Sequence, residues 1–358
     1  MLRHQYLHDP VERTADMNIT EFTKYTDIVK SQTGPTEDGL VKEIEKRYLK
    51  FVDKHSSTEE DRSQAMKAWE FVLPKIEINA GLANFILDYD GAESLYFFPW
   101  LINVFRSPST ALEMAYGAGE NIFGEWKYDM TDDPIDFFVK NDPTFVYNRE
   151  RQLYVADLAS SICDNAMSAS YAELPSKIVD FGAGRLAWAR WHGFKFASTH
   201  VSINAYDKDS SIDFNEVFNV DNAEEALGIR FKHGDLMAFV NDPEAAHADL
   251  VILGGVASYI HQKVFAQAVV MPIYHLLNRG GMFFFDLQID CPYLRRSMAI
   301  FDWPKMYLDG RSNVTETIAE VEQMRKQFWH EGLKFGAEYA VDTYNESPSA
   351  LMVTMQKI

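Results

Sequence analysis

The stretch IVDFGAGRLAWA, residues 178–189, contains the residues whose types and spacing best suit ligand chemistry. Gly182 and Gly184 directly follow a short apolar run, and Asp180 stands just before them. A glycine turn between a strand and a helix lets the backbone approach a ligand closely, with the helix N-terminus directed at it. Alone, this spacing is equally typical of a tight turn that binds nothing. Asp180 adds chemistry, because its carboxylate attracts a ligand that carries an ammonium or sulfonium group.

The same turn also satisfies the fingerprint of dinucleotide-binding folds. Gly182, Gly184 and Ala187 have the Gly-x-Gly-x-x-Ala spacing, and Asp207 ends the next apolar run, where it can accept hydrogen bonds from a ribose. Asp180 weighs against this interpretation, since its charge repels a pyrophosphate. Asp235, in the segment KHGDLM, is a further acceptor that suits an adenine amino group. An adenosine ligand with a cationic part therefore fits better than a dinucleotide.

Further polar side chains follow the later apolar runs. Tyr259 can line a substrate pocket, and His261 can act as a general base near neutral pH. The alternative for His261 is that it only begins the next helix on a solvated face. Asp286 and Gln288 end a run of three phenylalanines, where they either contact a substrate or cap the strand.

A parallel sheet is needed to position these residues. From residue 177 onward, short apolar runs alternate with helical stretches: KIVDFG, VSINAYD, IRFKHGD, ADLVILGG and GMFFFDLQ. Such alternation is typical of βαβ units whose strands are buried on both faces. The helix VFAQAVVMPIYHLLNRGG is predicted to kink at Pro272 and to end at Gly280-Gly281.

The C-terminal segment predicts one more helix and two strands. Asn313, with Glu316 three residues later, resembles the capped start of a helix that runs through Trp329. Trp188 and Trp191, in the helix after the glycine turn, are explained by packing of that helix on the sheet. The strands FGAEYAVDTY and ALMVTMQKI are joined by the short turn NESPS, so we expect them to be antiparallel.

The N-terminal half is mainly helical. Apolar positions recur at helical spacing from Leu40 to Val52, and again from about 59 to 87 with breaks near Pro74 and Gly81. Further helices are predicted at 133–141 and 149–168. The aromatic segment 94–107 either walls an apolar pocket or, as is commoner, forms core. We expect a polar arm at 1–35, a mainly helical cap, substrate or dimerisation domain at 36–170, and an α/β domain at 171–358.

Composition argues against several classes of function. The formal net charge is −19, whereas nucleic acids and anionic membrane surfaces require clustered Lys and Arg. Cys163 and Cys291 lack a Cys-x-x-Cys or Cys/His spacing, and the histidines form no metal motif, so no metal site is predicted. No apolar run approaches the ~18 residues that span a bilayer, and no signal-peptide core is evident. A cytoplasmic protein is expected.

Taken in order, the motifs of residues 175–358 resemble those of class I S-adenosylmethionine-dependent methyltransferases. The matching segments are VDFGAG, AYDKD with Asp207, HGDLM, DLVILGG and LLNRGGMFFF. The resemblance implies an α/β fold with a doubly wound, seven-stranded, mainly parallel sheet and an antiparallel C-terminal strand, preceded here by the helical N-terminal domain. One departure is Leu186, where many members have a third glycine.

The resemblance also implies the cofactor, S-adenosylmethionine, and the residues around it. Asp180, Gly182 and Gly184 would surround the methionine part, with Asp180 reaching its amino group. Asp207 would accept both ribose hydroxyls, and Gly254 would lie near the sulfonium. Asp235 and Leu236 would flank the adenine. The complete implied set is Asp180, Phe181, Gly182, Ala183, Gly184, Asp207, Lys208, Asp235, Leu236 and Gly254.

The implied activity is methyl transfer to a small-molecule acceptor, with His261 and Tyr259 as the candidate catalytic residues. The sequence lacks the Asn/Asp-Pro-Pro-aromatic tetrad and the Pro-Cys nucleophile of nucleic-acid methylating enzymes. The helical domain would cover the cofactor cleft and can mediate a homodimer. Three alternatives stay open: an NAD-dependent oxidoreductase, a non-catalytic binding or regulatory protein, and a relative that uses the same cofactor for aminopropyl transfer or a rearrangement.

Overall fold

A computed structural model describes residues 35–88, 97–106, 119–120, 126–127, 143–168, 176–191, 201–291, 294, 306–341 and 349–358. Residues 1–34 of the polar arm predicted at 1–35 lie outside these ranges, as does the predicted helix at 133–141. Among the described residues, no helix is both long enough and apolar enough to cross a membrane.

The C-terminal half is built on one seven-stranded sheet. The strands are β1 (Ser176–Phe181), β2 (Val201–Asp207), β3 (Ile229–His233), β4 (Ala248–Leu253), β5 (Leu277–Gln288), β6 (Phe335–Val341) and β7 (Ala350–Lys357). Their order is β3-β2-β1-β4-β5-β7-β6. The first five strands are parallel, and β7 is antiparallel to both of its neighbours. The predicted fold class is therefore confirmed.

Both faces of the sheet are apolar, because successive side chains of a strand point to opposite faces. Phe283 and Phe285 of β5 belong to one core cluster, whereas Phe284 belongs to the other. Val251 and Ile252 of β4 divide in the same way. A sheet buried on both faces requires a helical layer on each side, which gives three layers.

The helices of the C-terminal half are α7 (Ala187–Trp191), α8 (Phe214–Phe218), α9 (Ala223–Leu227), α10 (Leu236–Phe239), α11 and α12 (Val314–His330). Helix α11 combines Gln262–Val264, the π-helical stretch Phe265–Val270 and Met271–Leu276. The π-helical stretch comes immediately before Pro272, the predicted kink, and the Met271 N–H donates to the Ala266 carbonyl five residues back. Asn313 caps α12 as predicted, because its side chain accepts from the Glu316 N–H at 3.0 Å.

The end of α11 differs from the prediction. The helix ends at Leu276 rather than at Gly280-Gly281, and β5 begins at Leu277. Leu277 pairs with Ala248, and Met282 pairs with Leu250, so the residues between them form a bulge in β5. The two glycines thus lie in the bulge of β5 and do not end the helix. Gly281 lacks room for a side chain, since a Cβ there would lie 2.9 Å from the Ala248 carbonyl oxygen.

The N-terminal half contains α1 (Asp38–His55), α2 (Glu59–Trp69), α3 (Leu73–Ile78), α4 (Ala80–Asp88), α5 (Phe97–Arg106) and α6 (Pro143–Ser168). The break near Pro74 is confirmed, but the second break falls at Asn79, and Gly81 lies inside α4. A short antiparallel pair, Gly119–Glu120 with Trp126–Lys127, was not predicted.

Helices α1 to α5 surround a core of their own. Tyr48 stacks on Trp69 with ring centroids 4.2 Å apart, and Phe98 packs edge-on against Tyr48 at 5.0 Å. Phe97 and Phe98, from the aromatic segment, are buried in this core. Their role here is therefore packing within the helical bundle. Helix α6 is different, since Tyr147 and Val155 are buried with residues of the sheet.

Candidate functional site

The predicted site residues gather where the parallel strands end. Asp180 lies near the end of β1, in register with Ala205 of β2 and Ile252 of β4. Asp207 ends β2, and Gly254 directly follows β4. In open α/β sheets, ligands bind in the crevice at this edge, so the topology brings these residues to the expected place.

The glycine turn is held against β2 by its own backbone. The N–H groups of Gly182 and Ala183 both donate to the Tyr206 carbonyl, at 2.8 and 3.1 Å. Gly182 has a φ of +78°, and a Cβ there would lie 2.4 Å from Cγ2 of Val256. Glycine is needed both for this conformation and for the close approach of the loop that follows β4.

Leu186 occupies the position where many class I methyltransferases have a third glycine. Its φ is +52°, in the left-handed region that costs a side-chain-bearing residue about 1–2 kcal/mol, whereas glycine adopts it freely. The leucine side chain is fully buried in the core below the turn. The turn therefore keeps the backbone of the glycine pattern and uses the side chain for packing.

Asp180 is a buried carboxyl group. It is 3% exposed, and one of its oxygens accepts from the indole N–H of Trp188 at 2.9 Å. Burial raises the pKa of Asp180 to about 7; the Trp188 hydrogen bond opposes this rise, the charge of Asp207 adds to it and the charge of Arg151 opposes it. A cationic ligand group next to Asp180 would favour its ionised form. Trp188, expected only to pack on the sheet, also positions this carboxyl group.

Asp207 connects the glycine turn to the next loop. Its Oδ2 accepts from the Gly184 N–H and its Oδ1 from the Asp209 N–H, both at 2.8 Å. Burial raises the pKa of Asp207, while these two backbone hydrogen bonds lower it. A carboxylate has about four acceptor positions, so one that accepts two backbone hydrogen bonds can also accept from ribose hydroxyls. The Lys208 side chain, which follows Asp207, is exposed.

The loop after β3 reaches the same edge. The Gly234 N–H donates to the Asp207 carbonyl at 2.9 Å, which places Asp235 close to the end of β2. Asp235 is exposed and caps α10, because its Oδ1 accepts from the Met237 N–H at 2.8 Å. Leu236 is partly buried against the core. The predicted adenine-flanking residues thus begin a short helix beside Asp207.

A buried polar network, not predicted from the sequence, lies beside the loop that follows β4. Its centre is Asp286, which is 1% exposed. Oδ2 of Asp286 accepts from the Tyr147 hydroxyl, from Nη1 of Arg151 at 3.3 Å and from Nε2 of Gln288 at 3.2 Å. Oδ1 accepts from the Gly255 N–H at 2.5 Å. Asp286 lies on β5 and links this strand both to α6 and to the loop that follows β4. Neither the substrate-contact nor the strand-capping alternative predicted this role.

The spacing of Tyr147 and Arg151 indicates that they share one face of a helix, but not that this face packs on the sheet. They are four residues apart on α6, which puts both on one face of the helix. Arg151 was missed because a single arginine in a helix has no motif around it. Only the docking of α6 on the sheet brings it beside Gly254 and Gly255.

Tyr259 lies near this network. It is partly buried, and burial raises the pKa of its hydroxyl to about 12; the charge of Arg151 opposes this shift and that of Asp286 adds to it. Its ring also packs against the small cluster of Cys291, Leu294 and Met306. This position is compatible with the wall of a pocket, and the role of Tyr259 in catalysis stays a prediction.

His261 is exposed and begins α11. Its Nδ1 accepts from the Lys263 N–H at 3.3 Å, and its ring packs edge-on against Tyr307 with centroids 5.2 Å apart. When Nδ1 accepts a hydrogen bond, the neutral ring carries its proton on Nε2. This geometry corresponds to the helix-opening alternative for His261, and its role as a base also stays a prediction. Across the described residues, no group of three or more His, Cys, Asp and Glu side chains is arranged to hold a metal ion.

No family model matches the sequence, and no curated protein matches it. Solved structures of similar fold include a possible exported protein from Bordetella parapertussis, 12% identical with a TM-score of 0.45, covering 85% of this chain and 98% of that one. The DszA carbon methyltransferase is 12% identical with a TM-score of 0.42, covering 83% and 70%. The methyltransferase domain of bacterial CtHen1 is 12% identical with a TM-score of 0.40, covering 59% and 99%. At this level of similarity, none of them assigns a family or an activity to this chain.

Proposed function

We propose that the chain is an S-adenosylmethionine-dependent methyltransferase that acts on a small-molecule acceptor. The observation that carries the proposal is the pair of carboxyl groups, Asp180 and Asp207, at the carboxyl ends of neighbouring strands around one glycine turn. Burial raises the pKa of both carboxyl groups, and the charge of Asp207 raises that of Asp180 further, so a positive charge in the crevice would favour their ionised forms. S-adenosylmethionine combines such charge with a ribose and an adenine.

The residues at the crevice fit this cofactor. Asp180 would bind its amino group, Asp207 its ribose hydroxyls, and Asp235 with Leu236 its adenine. Gly182 fits because it leaves no side chain between the turn and Gly254, whose carbonyl oxygen would lie 4.0 Å from a Cβ on Gly182. Gly254 would then lie beside the sulfonium.

The chemistry asks little of the protein beyond alignment. When bound, the cofactor would supply an electrophilic methyl group: a lone pair of the acceptor would attack the methyl carbon, the electrons of the broken C–S bond would stay on sulfur, and the acceptor would release its proton to a water molecule. The chain's own residues have to hold the reacting groups in line and exclude bulk water. Tyr259 and the helical N-terminal domain are the proposed walls of the acceptor pocket, and the net charge of −19 favours a small molecule over a nucleic acid as acceptor.

Two features distinguish this proposal from an NAD-dependent oxidoreductase. The first is Asp180, whose ionised form would repel a pyrophosphate at the turn. The second is the insertion of the antiparallel strand β7 between β5 and β6, whereas dinucleotide-binding sheets of this class have the order 3-2-1-4-5-6.

Calorimetric titration of the full chain with S-adenosylmethionine, S-adenosylhomocysteine and NAD tests the proposal. We expect micromolar binding of the first two and no binding of NAD. Binding of NAD alone would favour the oxidoreductase. Binding of none of the three would reject the cofactor assignment and favour a non-catalytic binding or regulatory protein.

A further inference from the structure

A cavity of about 590 Å³ lies at the amino ends of β1, β2 and β3, at the edge of the sheet opposite the glycine turn. Ser202 lines it at the start of β2, whereas Asp207 ends that strand about 17 Å away, so the cavity is separate from the crevice. Its volume is within the range of small-molecule sites. The lining residues come from the three strands, from α9 with its two caps, and from the segment before β4: Lys177, Ser202, Asn204, Asn222, Glu224, Glu225, Gly228, Arg230 and Glu244.

Polar side chains on one face of the sheet form the floor of this cavity. Lys177 of β1 is in register with Ser202 of β2, and Asn204 of β2 is in register with Arg230 of β3. Positions directly opposite each other in paired strands share a face, and so do residues two apart in one strand. Tyr206, the next residue of β2 on this face, already belongs to the apolar core. The face therefore changes from apolar to polar where the cavity begins.

Asn204 is the buried residue of this floor, since it is only 6% exposed. Its Nδ2 donates to the Glu244 carbonyl at 2.9 Å, which docks the segment before β4 on the sheet. Within the described part of the chain, its amide oxygen and the Ser202 hydroxyl have no hydrogen-bond partner. The docking contact thus accounts for the amide nitrogen and not for the oxygen. A polar group held in a protein without a partner costs free energy, which a donor in the cavity would recover.

The two cationic side chains of the lining are already bound. Nζ of Lys177 donates to the Glu244 and Ala246 carbonyls, at 3.1 and 2.8 Å. Nε of Arg230 pairs with Oε1 of Glu224 at 2.6 Å. An anionic ligand would have to compete with these contacts for both cations.

The glutamates of the lining leave negative charge over. Glu224 pairs with Arg230, and Glu244 pairs with Lys232 at 2.9 Å. Glu225 is exposed and has no ion pair with any residue that the structure describes. Charge of one sign along a cleft attracts ligands of the opposite sign, and the formal net charge of −19 acts in the same direction. The cavity therefore favours a cation.

We propose that this cavity is a second ligand site of the chain and that it takes a small organic cation, namely an alkyl amine. An ammonium group has three donors and no acceptor, which matches an amide oxygen, a hydroxyl and a carboxylate. Asn204 and Ser202 bind the ammonium at the floor, and Glu225 supplies the opposite charge at the rim. The volume is far larger than a single metal ion needs. The inference does not depend on the proposed function.

Three probes of equal chain length and different charge test the site on the full chain: 1,5-diaminopentane, 1,5-pentanediol and glutarate. Each is titrated by ligand-observed NMR. We expect the diamine to bind with a dissociation constant on the order of 0.1–1 mM, about tenfold or more below that of the diol, and glutarate not to bind. A diamine that binds no better than the diol, tighter binding of glutarate, or binding of none of the three would overturn the proposal.

Two variants locate the bound diamine. Glu225→Gln removes an exposed charge without an ion pair, so it should fold and should weaken diamine binding about 3- to 10-fold. Ser202→Leu fills the cavity with an apolar side chain and should abolish binding. Unchanged affinity in Glu225→Gln, or in folded Ser202→Leu, would mean that the diamine associates with the negative surface in general, and would overturn the site.

Two further variants are the matched controls. Glu216→Gln makes the same change of charge at an exposed position of α8 outside the lining and should keep the wild-type affinity for the diamine. Asp180→Asn alters the carboxyl group of the crevice and should also keep it. Loss of diamine binding in Asp180→Asn would place the diamine at the glycine turn and would overturn the second site.

Discussion

The carboxyl group of Asp180 is buried in a way that opposes its ionisation. Its pKa is raised from 3.8 to about 7, first by burial and then by the charge of Asp207, against the Trp188 hydrogen bond. Between these two pH values the folded protein holds a proton that the unfolded chain has released. Folding stability should therefore fall as the pH rises from about 4 to about 7, and the loss is complete above pH 7.

Asp180→Asn removes this ionisation and tests its cost. The amide is neutral at every pH and its oxygen can still accept from Trp188. As the pH is raised, the variant should gain stability relative to the wild type. At pH 8 this gain should be a few kcal/mol, on the order of 1.4 kcal/mol for each unit by which the pKa is raised. Urea unfolding at pH 5 and pH 8 measures the difference. A constant difference would contradict the prediction, and Asp235→Asn, at an exposed cap where Asn serves about as well, should change little at either pH.

Asp207 is predicted to bind the part of the cofactor that every adenosine ligand shares. Asp207→Ala removes two charge-assisted acceptors, so affinity should fall by roughly 2–4 kcal/mol. The loss should be alike for S-adenosylhomocysteine and for methylthioadenosine, which lacks the amino-acid part. Calorimetry on the folded variant measures both ligands. Asp213→Ala, which removes an exposed cap of α8, is the control and should keep wild-type affinity, whereas unchanged affinity in Asp207→Ala would reject the motif assignment.

At the scale of elements, the sheet was predictable because its strands are short apolar runs separated by helical stretches. The boundary between α11 and β5 was not. Leu276 and Leu277 are both buried and apolar, so the local pattern cannot distinguish a helix end from a strand start. The boundary is decided by the pairing of Leu277 with Ala248, which is a contact between distant parts of the chain. Local sequence does not contain that information.

The site residues also divide into those that the local sequence predicts and those that depend on contacts between distant parts of the chain. Asp180 and Asp207 were predictable because each stands at the end of a strand, and the ends of neighbouring parallel strands meet at one edge. Arg151 reaches that edge from α6, a helix that precedes the sheet in sequence. Its position depends on how α6 packs against β1 and β4, which follows from burial of its apolar face and not from any motif.

The bulge in β5 gives a prediction at this scale. A Cβ on Gly281 would meet two backbone oxygens, at 2.9 Å on Ala248 and 3.0 Å on Asn278, and neither can move without shifting a strand. Gly281→Ala should therefore cost about 1–3 kcal/mol, the usual range for overpacking. Gly280, with a φ of +80° and no heavy atom within 4 Å of its Cβ position, is the matched control.

Gly280→Asn should lower the free energy of unfolding by less than about 1 kcal/mol, because Asn tolerates the left-handed conformation better than other residues with a side chain. Urea unfolding of both variants gives the comparison. Equal losses would mean that the close approach of β4 and β5 is not what requires a glycine at Gly281.

At the scale of the whole molecule, the described residues form two kinds of core. Helices α1 to α5 pack on one another around Tyr48, Trp69 and Phe98, and this cluster contains no residue of the sheet. Helix α6 belongs with the sheet, because Tyr147 contacts Asp286 and the Tyr154 hydroxyl lies 3.1 Å from Oγ1 of Thr354. The domain limits expected at 36–170 and 171–358 remain a prediction, and α6, which lies within the first of these ranges, packs with residues of the second.

Because helices α1 to α5 have a core of their own, a substitution in that core should destabilise these helices without affecting the sheet. Phe98 is fully buried and packs against Tyr48 and Trp69, so Phe98→Ala should cost about 3–5 kcal/mol. Because its contacts lie within the bundle, amide hydrogen exchange should accelerate at 38–88 and 97–106 and stay unchanged in β1 to β5. Phe284→Ala, at an equally buried position of the sheet, should give the opposite pattern. Faster exchange throughout the sheet of Phe98→Ala would instead mean that bundle and sheet unfold as one cooperative unit.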